Sequence, residues 1–328
     1  MTTLTGLSKD LIGILLLLIF GYCFLFVNID TKDLTIPASL LNVNSIFLSI
    51  ILEAIPFILL GVFASALIQV FVSEELIQRL IPKNPYIALI PAVIVSALLP
   101  VCECAIIPVI RRLLKKGMPL HIGVVILVGA PILNPVVFAA TFYAFQSNMS
   151  IVYSRIGLAA VACLLIGLSV YFFFRNSNQL RDVYVHEHED AKVGNKLKQT
   201  LYHASDEFFD MGKYLLFGAL VASLFQTFLD RQLLTNLANN DYMSSAVMMG
   251  FAYVLSLCSE ADAFVASSFS HTFSPTALLA FLLYGPMMDF KNTIMLLSFF
   301  KKRFAFSLIL IITVIVYAIV MAYGMVSR

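Results

Sequence analysis

The sequence predicts an all-α integral membrane protein built from two inverted repeats of broken transmembrane helices and re-entrant hairpins, plus one extra N-terminal span. Of its 328 residues, 60% are hydrophobic and only 12% are charged, whereas a soluble domain carries about 25% charged residues. The apolar residues also form runs that approach or exceed the roughly 20 residues needed to cross a bilayer. These runs are Leu11–Ile29, Ser45–Val72, Ile151–Phe174 and Phe304–Val326. No soluble core of this size could hide them, so we expect a multi-pass protein that is surrounded by lipid.

The first apolar run, Leu11–Ile29, predicts a retained span rather than a cleaved signal. Its length exceeds the roughly 7–15 residues of a signal-peptide core, and no small-residue cleavage site follows it. We assign residues 1–44 to this extra transmembrane helix. The five cysteines all lie in apolar stretches, which argues against a disulfide framework. The formal net charge of +2 comes without a basic patch, so we expect no nucleic-acid partner.

Internal repetition divides the rest of the chain into two halves. At a nearly constant offset, Ile51–Gly61 aligns with Phe208–Gly218, Val101–Ala105 with Leu257–Ala261, and Ala130–Asn134 with Gly285–Asp289. Chance similarity between apolar helices does not keep such an offset. We therefore predict a first repeat over residues 45–174, a cytoplasmic linker over 175–204 and a second repeat over 205–328.

Basic residues predict the orientation, because basic loops favour the cytoplasm. The clusters are Arg79/Lys83, Arg111–Lys116, Arg175–Lys198 and Lys301–Arg303. They fall on one side only if Tyr86–Lys116 is a re-entrant hairpin and Met243–His271 enters from the opposite side. Straight, Tyr86–Lys116 would measure about 46 Å, more than the bilayer core of roughly 30 Å. Each half then crosses three times, which inverts the repeats and leaves the N-terminus inside and the C-terminus outside. Nine simple spans with parallel repeats are the alternative.

Inverted repeats with broken helices are typical of secondary transporters, whose solute site lies near the midplane where the breaks meet. Proline supplies such breaks, because it removes a backbone donor and clashes with the preceding helical turn. The candidate breaks are Pro100, Pro108, Pro131, Pro135 and Pro286. We therefore look for solute-binding residues next to them.

The tip of the first hairpin carries Cys102, Glu103 and Cys104. Thiolates suit soft ions such as Cu(I) and Zn(II), and a carboxylate adds charge and a harder oxygen donor. In extended backbone the two sulfurs share one face and can reach one ion. In one alternative, the two cysteines are buried and pack as small hydrophobic residues. In another, they form a metal-free thiol pair that does redox chemistry.

The tip of the second hairpin carries Cys258, Glu260 and Asp262. Carboxylates inside a membrane are costly and usually mark an ion or proton pathway, so one of them could carry a proton in exchange for the solute. Alternatively, they pair with Lys291 and only hold the hairpin. The metal ligands predicted from the two tips are Cys102, Cys104, Cys258 and Glu260.

A third set of candidates lies at the later helix breaks of the two halves. Asn134 and its counterpart Asp289, with nearby Lys291, could bind a polar solute or an ion. Asp289 and Lys291 could equally neutralise each other. Glu53 and Asp210 occupy equivalent places in the opening helices, where they could serve a proton relay or make a structural hydrogen bond.

Several of these motifs resemble the signatures of a family of predicted bacterial permeases, which includes the YraQ-type proteins and the organoarsenical efflux permease ArsP. The matching segments are Leu99–Pro108, Gly129–Pro135, Leu257–Val265 and Gly285–Asn292. The resemblance implies that Cys102, Cys104 and Cys258 are candidates for binding trivalent arsenic. Many members carry Cys-Ser-Cys-Gly where this chain has Cys-Glu-Cys-Ala, and the added carboxylate favours a cationic metal over a neutral organoarsenical.

Taken together, the sequence predicts a secondary-type permease of the bacterial plasma membrane that moves a soft metal cation or a metalloid. It carries no Walker-type phosphate loop, and we expect neither enzymatic activity nor a bound cofactor. Organoarsenical efflux and an intramembrane thiol oxidoreductase are the alternative functions. A third class of function is a non-transporting subunit that docks a partner. Both a homo-oligomer and a complex with a partner membrane protein agree with the sequence.

Overall fold

In a computed structural model, the structure describes residues 38–71, 73, 75, 81–82, 84–175, 179–180, 196–228 and 241–326. This part of the chain is almost entirely helical. Its helices are α1 (Ala38–Phe71), α2 (Pro85–Leu98), α3 (Glu103–Lys115), α4 (Leu120–Leu133), α5 (Pro135–Ala144), α6 (Met149–Phe174), α7 (Lys196–Phe228), α8 (Asp241–Leu255), α9 (Ser259–Ser268), α10 (Pro275–Met287), α11 (Phe290–Phe299) and α12 (Lys302–Val326). The predicted extra span at Leu11–Ile29 and most of the predicted linker lie outside the described residues.

Five described segments are long and apolar enough to cross a bilayer. They are Ser39–Gln69, Leu120–Ala144, Met149–Phe174, Met211–Phe228 and Lys302–Val326. Large apolar side chains on their surfaces are exposed, as Phe173 and Leu310 illustrate at 74% and 65%, which suits contact with lipid rather than with water. The prediction of an all-α membrane protein is therefore confirmed.

The helix order repeats between residues 38–174 and 196–326. Each of these parts begins and ends with a long helix, and four short helices lie between them, in pairs that a break separates. The helices begin earlier than the predicted repeats do: α1 starts at Ala38 rather than Ser45, and α7 at Lys196 rather than Ser205. Helices commonly extend past the apolar core to the polar headgroup region.

The prediction that Pro108 breaks its helix is wrong, because α3 runs through it. The proline removes one backbone donor, yet the helix is held by its packing against α1, and the Pro108 carbonyl accepts a hydrogen bond from Ser65 Oγ at 3.3 Å. Pro100 does lie in a break, at 99–102, and Pro135 begins α5 directly after one. Pro131 and Pro286 occupy the last turns of α4 and α10.

The first hairpin, formed by α2 and α3, folds back beside α4. At its start, Pro85 lines a cavity together with His121 at the start of α4. Farther along, Ser96 packs against Gly129, where a Cβ would meet its Oγ at 2.9 Å, so α2 and α4 run in the same direction. A turn at Gly117, which has a φ of 91°, then joins the end of α3 to α4. Both ends of the hairpin therefore lie beside the start of α4, as a re-entrant segment requires.

The second hairpin, formed by α8 and α9, has the same relation to α10. Ala252 near the end of α8 and Asp262 near the start of α9 both lie against Gly285 near the end of α10. At the other end, the ring of Phe269 lies 5.9 Å from that of Phe273, just before α10 begins. The break between α8 and α9 therefore also lies in the interior of the helix bundle, beside the break between α10 and α11.

The long helices α6 and α12 pack against each other in opposite directions. Ser154 Oγ near the start of α6 donates to Tyr323 Oη near the end of α12 at 2.9 Å, and the rings of Phe174 and Phe304 lie 5.0 Å apart at the other ends. The helix bundle thus has two ends. We call one the basic end, because it holds Lys116, Arg175, Lys301, Lys302 and Arg303, and we call the other, beside Tyr323, the opposite end.

Candidate functional site

Four helix N-termini follow the four breaks in the interior of the bundle. Their N-cap residues are Cys102 for α3, Asn134 for α5, Cys258 for α9 and Asp289 for α11, and each has extended backbone. A helix N-terminus carries partial positive charge and unpaired N–H groups. The breaks therefore create a polar region inside an otherwise apolar bundle.

Charged side chains from both halves meet at this region. Lys291 Nζ of α11 lies 2.9 Å from Glu103 Oε1 of α3 and 3.4 Å from Asp289 Oδ2, and all three side chains are at most 6% exposed. We call these residues the ion network. Removing one partner of such a buried network leaves an uncompensated charge, which typically costs about 3–5 kcal/mol. The network thus ties the first hairpin tip to the last break of the second half.

Lys291 is also linked to the break of the second hairpin. Its Nζ donates to the Ser256 carbonyl at 3.4 Å, and its backbone N–H donates to Ser256 Oγ at 3.4 Å. Ser256 has a φ of 48°, in the left-handed region that non-glycine residues rarely adopt. Lys291 therefore pairs directly with Glu103 and Asp289, and it does not form the predicted direct ion pair with Glu260 or Asp262.

The thiols of the first tip lie together. The side chains of Cys102 and Cys104 lie close enough to interact, and Cys104 is buried whereas Cys102 is partly exposed. Electrostatic interaction links Cys104 to the ammonium of Lys291. The two thiols therefore lie beside the ion network.

Cys258 occupies a different environment. Its Sγ accepts a hydrogen bond from the Ala261 N–H at 3.4 Å and caps α9, and its thiol lies close enough to Glu53 of α1 to interact with it. In the described part of the chain, no three His, Cys, Asp or Glu side chains are grouped closely enough to hold one metal ion. The four predicted ligands Cys102, Cys104, Cys258 and Glu260 thus do not form a preassembled site.

Asn134 and Asp289 make the same kind of local contact at equivalent breaks. Asn134 Oδ1 accepts from the Val137 N–H at 2.9 Å, and its Nδ2 donates to the Ala130 carbonyl at 3.0 Å. Asp289 Oδ1 accepts from the Asn292 N–H at 2.6 Å. Both side chains therefore cap the helix that follows, which leaves Asn134 less available to a solute than predicted.

Sequence reasoning missed Arg155, a fully buried residue in the middle of the bundle. It lies on α6, donates to Thr141 Oγ1 of α5 at 2.5 Å and to the Ser259 carbonyl of α9 at 3.2 Å, and so connects the two halves. An arginine inside a span is by itself a signal of function. The signal was lost because one charge hardly changes the hydropathy of the run Ile151–Phe174.

The carboxylates of the second tip differ in burial. Asp262 is 1% exposed, and neither of its oxygens has a hydrogen-bond partner among the described residues. Glu260 is half-buried and Glu53 is exposed, while the side chain of Asp210 lies outside the described residues. Arg155 interacts electrostatically with both Asp262 and Glu260. These three residues are thus a second set of charged side chains close to the ion network.

Comparisons with known proteins match most of the chain. The sequence profile of the ArsP_1 family, which is described as a predicted permease, matches residues 39–325. UPF0718 protein YcgR of Bacillus subtilis (strain 168) is 51% identical over 288 residues, which cover 87% of this chain and 98% of that protein. A Streptococcus mutans protein named as a two-component membrane permease complex subunit is 38% identical over 272 residues. These residues cover 82% of this chain and 90% of that protein. No solved structure gives a significant match.

Proposed function

Because the chain belongs to the ArsP_1 family of predicted permeases, we propose that it is a secondary-type permease for a soft metal cation or a metalloid. The solute binds at the thiols of Cys102 and Cys104. The observation that carries this proposal is the position of the thiol pair, beside a buried ion network that joins the two halves at their helix breaks. A site at the junction of two halves is reached from either side when the halves rock against each other.

The directions of the helices support inverted repeats. α1 ends at the basic end, where Lys116 Nζ donates to the Gln69 carbonyl at 2.8 Å, and the first hairpin begins and ends there. The second hairpin begins and ends at the opposite end, because α10 starts beside the end of α12 and Thr276 lies there against Gly324. Equivalent elements thus run in opposite directions through the bilayer.

The charge balance at the first tip refines the solute class. Glu103, which by sequence alone favoured a cationic metal, is compensated by Lys291 at 2.9 Å. Asp289 shares the same ammonium at 3.4 Å, so Lys291 balances part of the carboxylate charge beside the thiol pair. A soft cation suits the remaining negative charge, and a neutral trivalent metalloid suits the thiols. The thiols supply the selectivity, because soft sulfur ligands prefer soft ions.

A partner membrane protein is part of this proposal. The Streptococcus mutans relative is named as one subunit of a two-component complex. Because this chain is 38% identical to it, we expect this chain to pair with a second subunit in the same way. The permease of this family would then work as a complex rather than as a single chain. Purification in mild detergent with mass spectrometry of co-eluting membrane proteins tests this point.

The solute site is tested by binding to the purified protein in detergent. Zn(II), Cu(I) and arsenite are titrated against the wild type, the Cys102→Ser/Cys104→Ser variant and the Cys258→Ser variant. We expect stoichiometric binding of at least one of these probes, weakened at least tenfold in the double variant. Equal binding by wild type and double variant, or none by either, would remove the thiol site.

Cys163→Ser provides the matched control for this titration. Cys163 is fully buried in α6, where it packs near Gly129, and it lies outside the proposed site. We expect its replacement to leave binding unchanged. Loss of binding in Cys163→Ser would show that the titration reports folding rather than the thiol pair. The Cys258→Ser result decides whether the second tip contributes a third sulfur.

A further inference from the structure

We propose that the basic end carries a binding site for one anionic phospholipid whose headgroup has a hydroxyl group, as in phosphatidylglycerol. The site is a cavity of about 310 Å³ where the first hairpin meets α4 and α6. Its wall includes Pro85 at the start of α2, Pro119 and His121 at the start of α4, and Tyr171 and Arg175 at the end of α6. Among the described residues, none that lines this cavity belongs to the ion network or to the thiol pair, so the site is separate from the proposed solute site.

The cavity lies at the depth where lipid headgroups meet the apolar core. One apolar span begins at Leu120 and another ends at Phe174, and both residues line the cavity. Close to lining residues in the sequence, Phe173 of α6 and Ile87 of α2 are 74% and 55% exposed. Such exposed apolar side chains suit acyl chains. A lipid can therefore place its headgroup in the cavity and its chains along α2 and α6.

The wall of the cavity provides positive charge for a phosphate group. Arg175 lies over the ring of Tyr171, with its Cζ 5.3 Å from the ring centroid, and this cation–π contact keeps the guanidinium at the cavity. A guanidinium binds phosphate oxygens bidentately. α4 begins at the same wall, and its N-cap, Pro119, provides no side-chain cap. The N–H groups of its first turn and its helix dipole therefore also favour an anion.

His121 provides a hydrogen-bond acceptor in the same wall. It is 8% exposed, and its Nε2 has no hydrogen-bond partner among the described residues. The ring packs edge-on against Tyr171 at 5.0 Å and lies close enough to the Pro85 carbonyl to interact with it. Because a carbonyl only accepts, the ring hydrogen belongs on Nδ1, and Nε2 is an acceptor. A buried acceptor without a donor is unfavourable, so the ligand should supply a hydroxyl group beside its phosphate.

These features together favour one class of anion. A free phosphate or a glycerol phosphate has the same polar groups, but it gains nothing from the exposed apolar faces of α2 and α6. Phosphatidylcholine has no net charge, and its headgroup has no hydroxyl. Basic residues favour the cytoplasm, where the leaflet contains anionic lipids and basic pockets between helices bind their headgroups. A phospholipid bound here would hold the start of the first hairpin against α4 and α6.

Native mass spectrometry of the purified, delipidated protein in mild detergent tests the site with defined lipids. The probes are phosphatidylglycerol, phosphatidylcholine and phosphatidylmethanol, which has the charge of phosphatidylglycerol but no headgroup hydroxyl. We expect the wild type to bind one phosphatidylglycerol at least fivefold more tightly than phosphatidylcholine and at least twofold more tightly than phosphatidylmethanol. Arg175→Gln should weaken binding of both anionic lipids at least fivefold. His121→Phe should remove only the preference for the lipid with the hydroxyl.

Lys302→Gln is the matched control, because Lys302 is exposed at the basic end and does not line the cavity. Its replacement should leave lipid binding within twofold of wild type. Unchanged binding in Arg175→Gln, or an equal loss in Lys302→Gln, would overturn the proposed site. Equal binding of phosphatidylglycerol and phosphatidylmethanol by the wild type would exclude the hydroxyl contact, even if His121→Phe does not fold. Glycerol phosphate is the soluble probe, and binding as tight as that of phosphatidylglycerol would show that the ligand is not a lipid.

Discussion

At the scale of single residues, the buried charges explain more of the site than the thiols do. Glu103 is far in the sequence from Asp289 and Lys291, yet Lys291 Nζ lies 2.9 Å from Glu103 Oε1 and 3.4 Å from Asp289 Oδ2. Arg155 adds a second connection between the halves through the Ser259 carbonyl. These polar contacts join the helix breaks of the two halves in the interior of the bundle.

The ion network predicts a large loss of stability on replacing Lys291. Lys291→Met leaves Glu103 and Asp289 without their cation in the interior, which should lower the free energy of unfolding by about 3–5 kcal/mol. The double variant Lys291→Met/Glu103→Gln should recover part of this loss, because one of the orphaned charges is also removed. Thermal or detergent-induced unfolding of the purified protein measures both changes.

Lys302→Met is the control for this comparison, because Lys302 is exposed at the basic end. Its replacement should change the unfolding free energy by less than about 1 kcal/mol. A Lys291→Met protein as stable as Lys302→Met would mean that the ion network adds nothing to folding. No recovery in the double variant would mean that Lys291 acts through packing alone.

At the scale of the elements, small residues allow the first hairpin to approach the long helices closely. Gly61 of α1 faces the backbone of Ala105 in α3, whose Cα would lie 2.6 Å from an added Cβ. Backbone cannot yield as a flexible side chain does, so α1 and α3 would have to separate. The first tip, which α3 carries, would move with them.

Gly61→Ala should therefore reduce both stability and binding at the first tip. Overpacking of this kind costs about 1–3 kcal/mol, and we expect the upper part of this range because the contact is to backbone. The change is followed by thermal unfolding and by titration of arsenite. Gly157→Ala in α6 is the control, since an added Cβ there meets nothing within 4 Å. Similar behaviour of the two variants would refute the close-approach argument.

The sequence predicts the elements better than it predicts their contacts. Long apolar runs and prolines identify the spans and the breaks near Pro100, Pro131 and Pro286, because these features act locally on the backbone. The pairing of Glu103 with Lys291 depends on which tip meets which break, and no local rule encodes that. Pro108 shows the reverse error, since tertiary packing keeps α3 helical through a residue that normally interrupts a helix.

At the scale of the whole molecule, the proposal of inverted rather than parallel repeats depends on the bundle end at which each loop lies. In this structure the loop before α6 lies at the opposite end, near Tyr323, whereas the start of α12 lies at the basic end. Nine simple spans would instead place the loop at 145–148 and the start of α12 on the same side of the membrane. Basic residues favour the cytoplasm, so we expect the basic end to lie inside.

Single cysteines at Ser147 and Lys302, both exposed, distinguish the two topologies. Ser147→Cys and Lys302→Cys are expressed separately, and intact cells are treated with a membrane-impermeant maleimide before and after permeabilisation. We expect Ser147→Cys to react in intact cells and Lys302→Cys to react only after permeabilisation. The unmodified protein gives the background from its native cysteines. Labelling of both positions from the same side would rule out the inverted repeats, and with them a site that opens alternately to the two sides by the rocking of inverted halves.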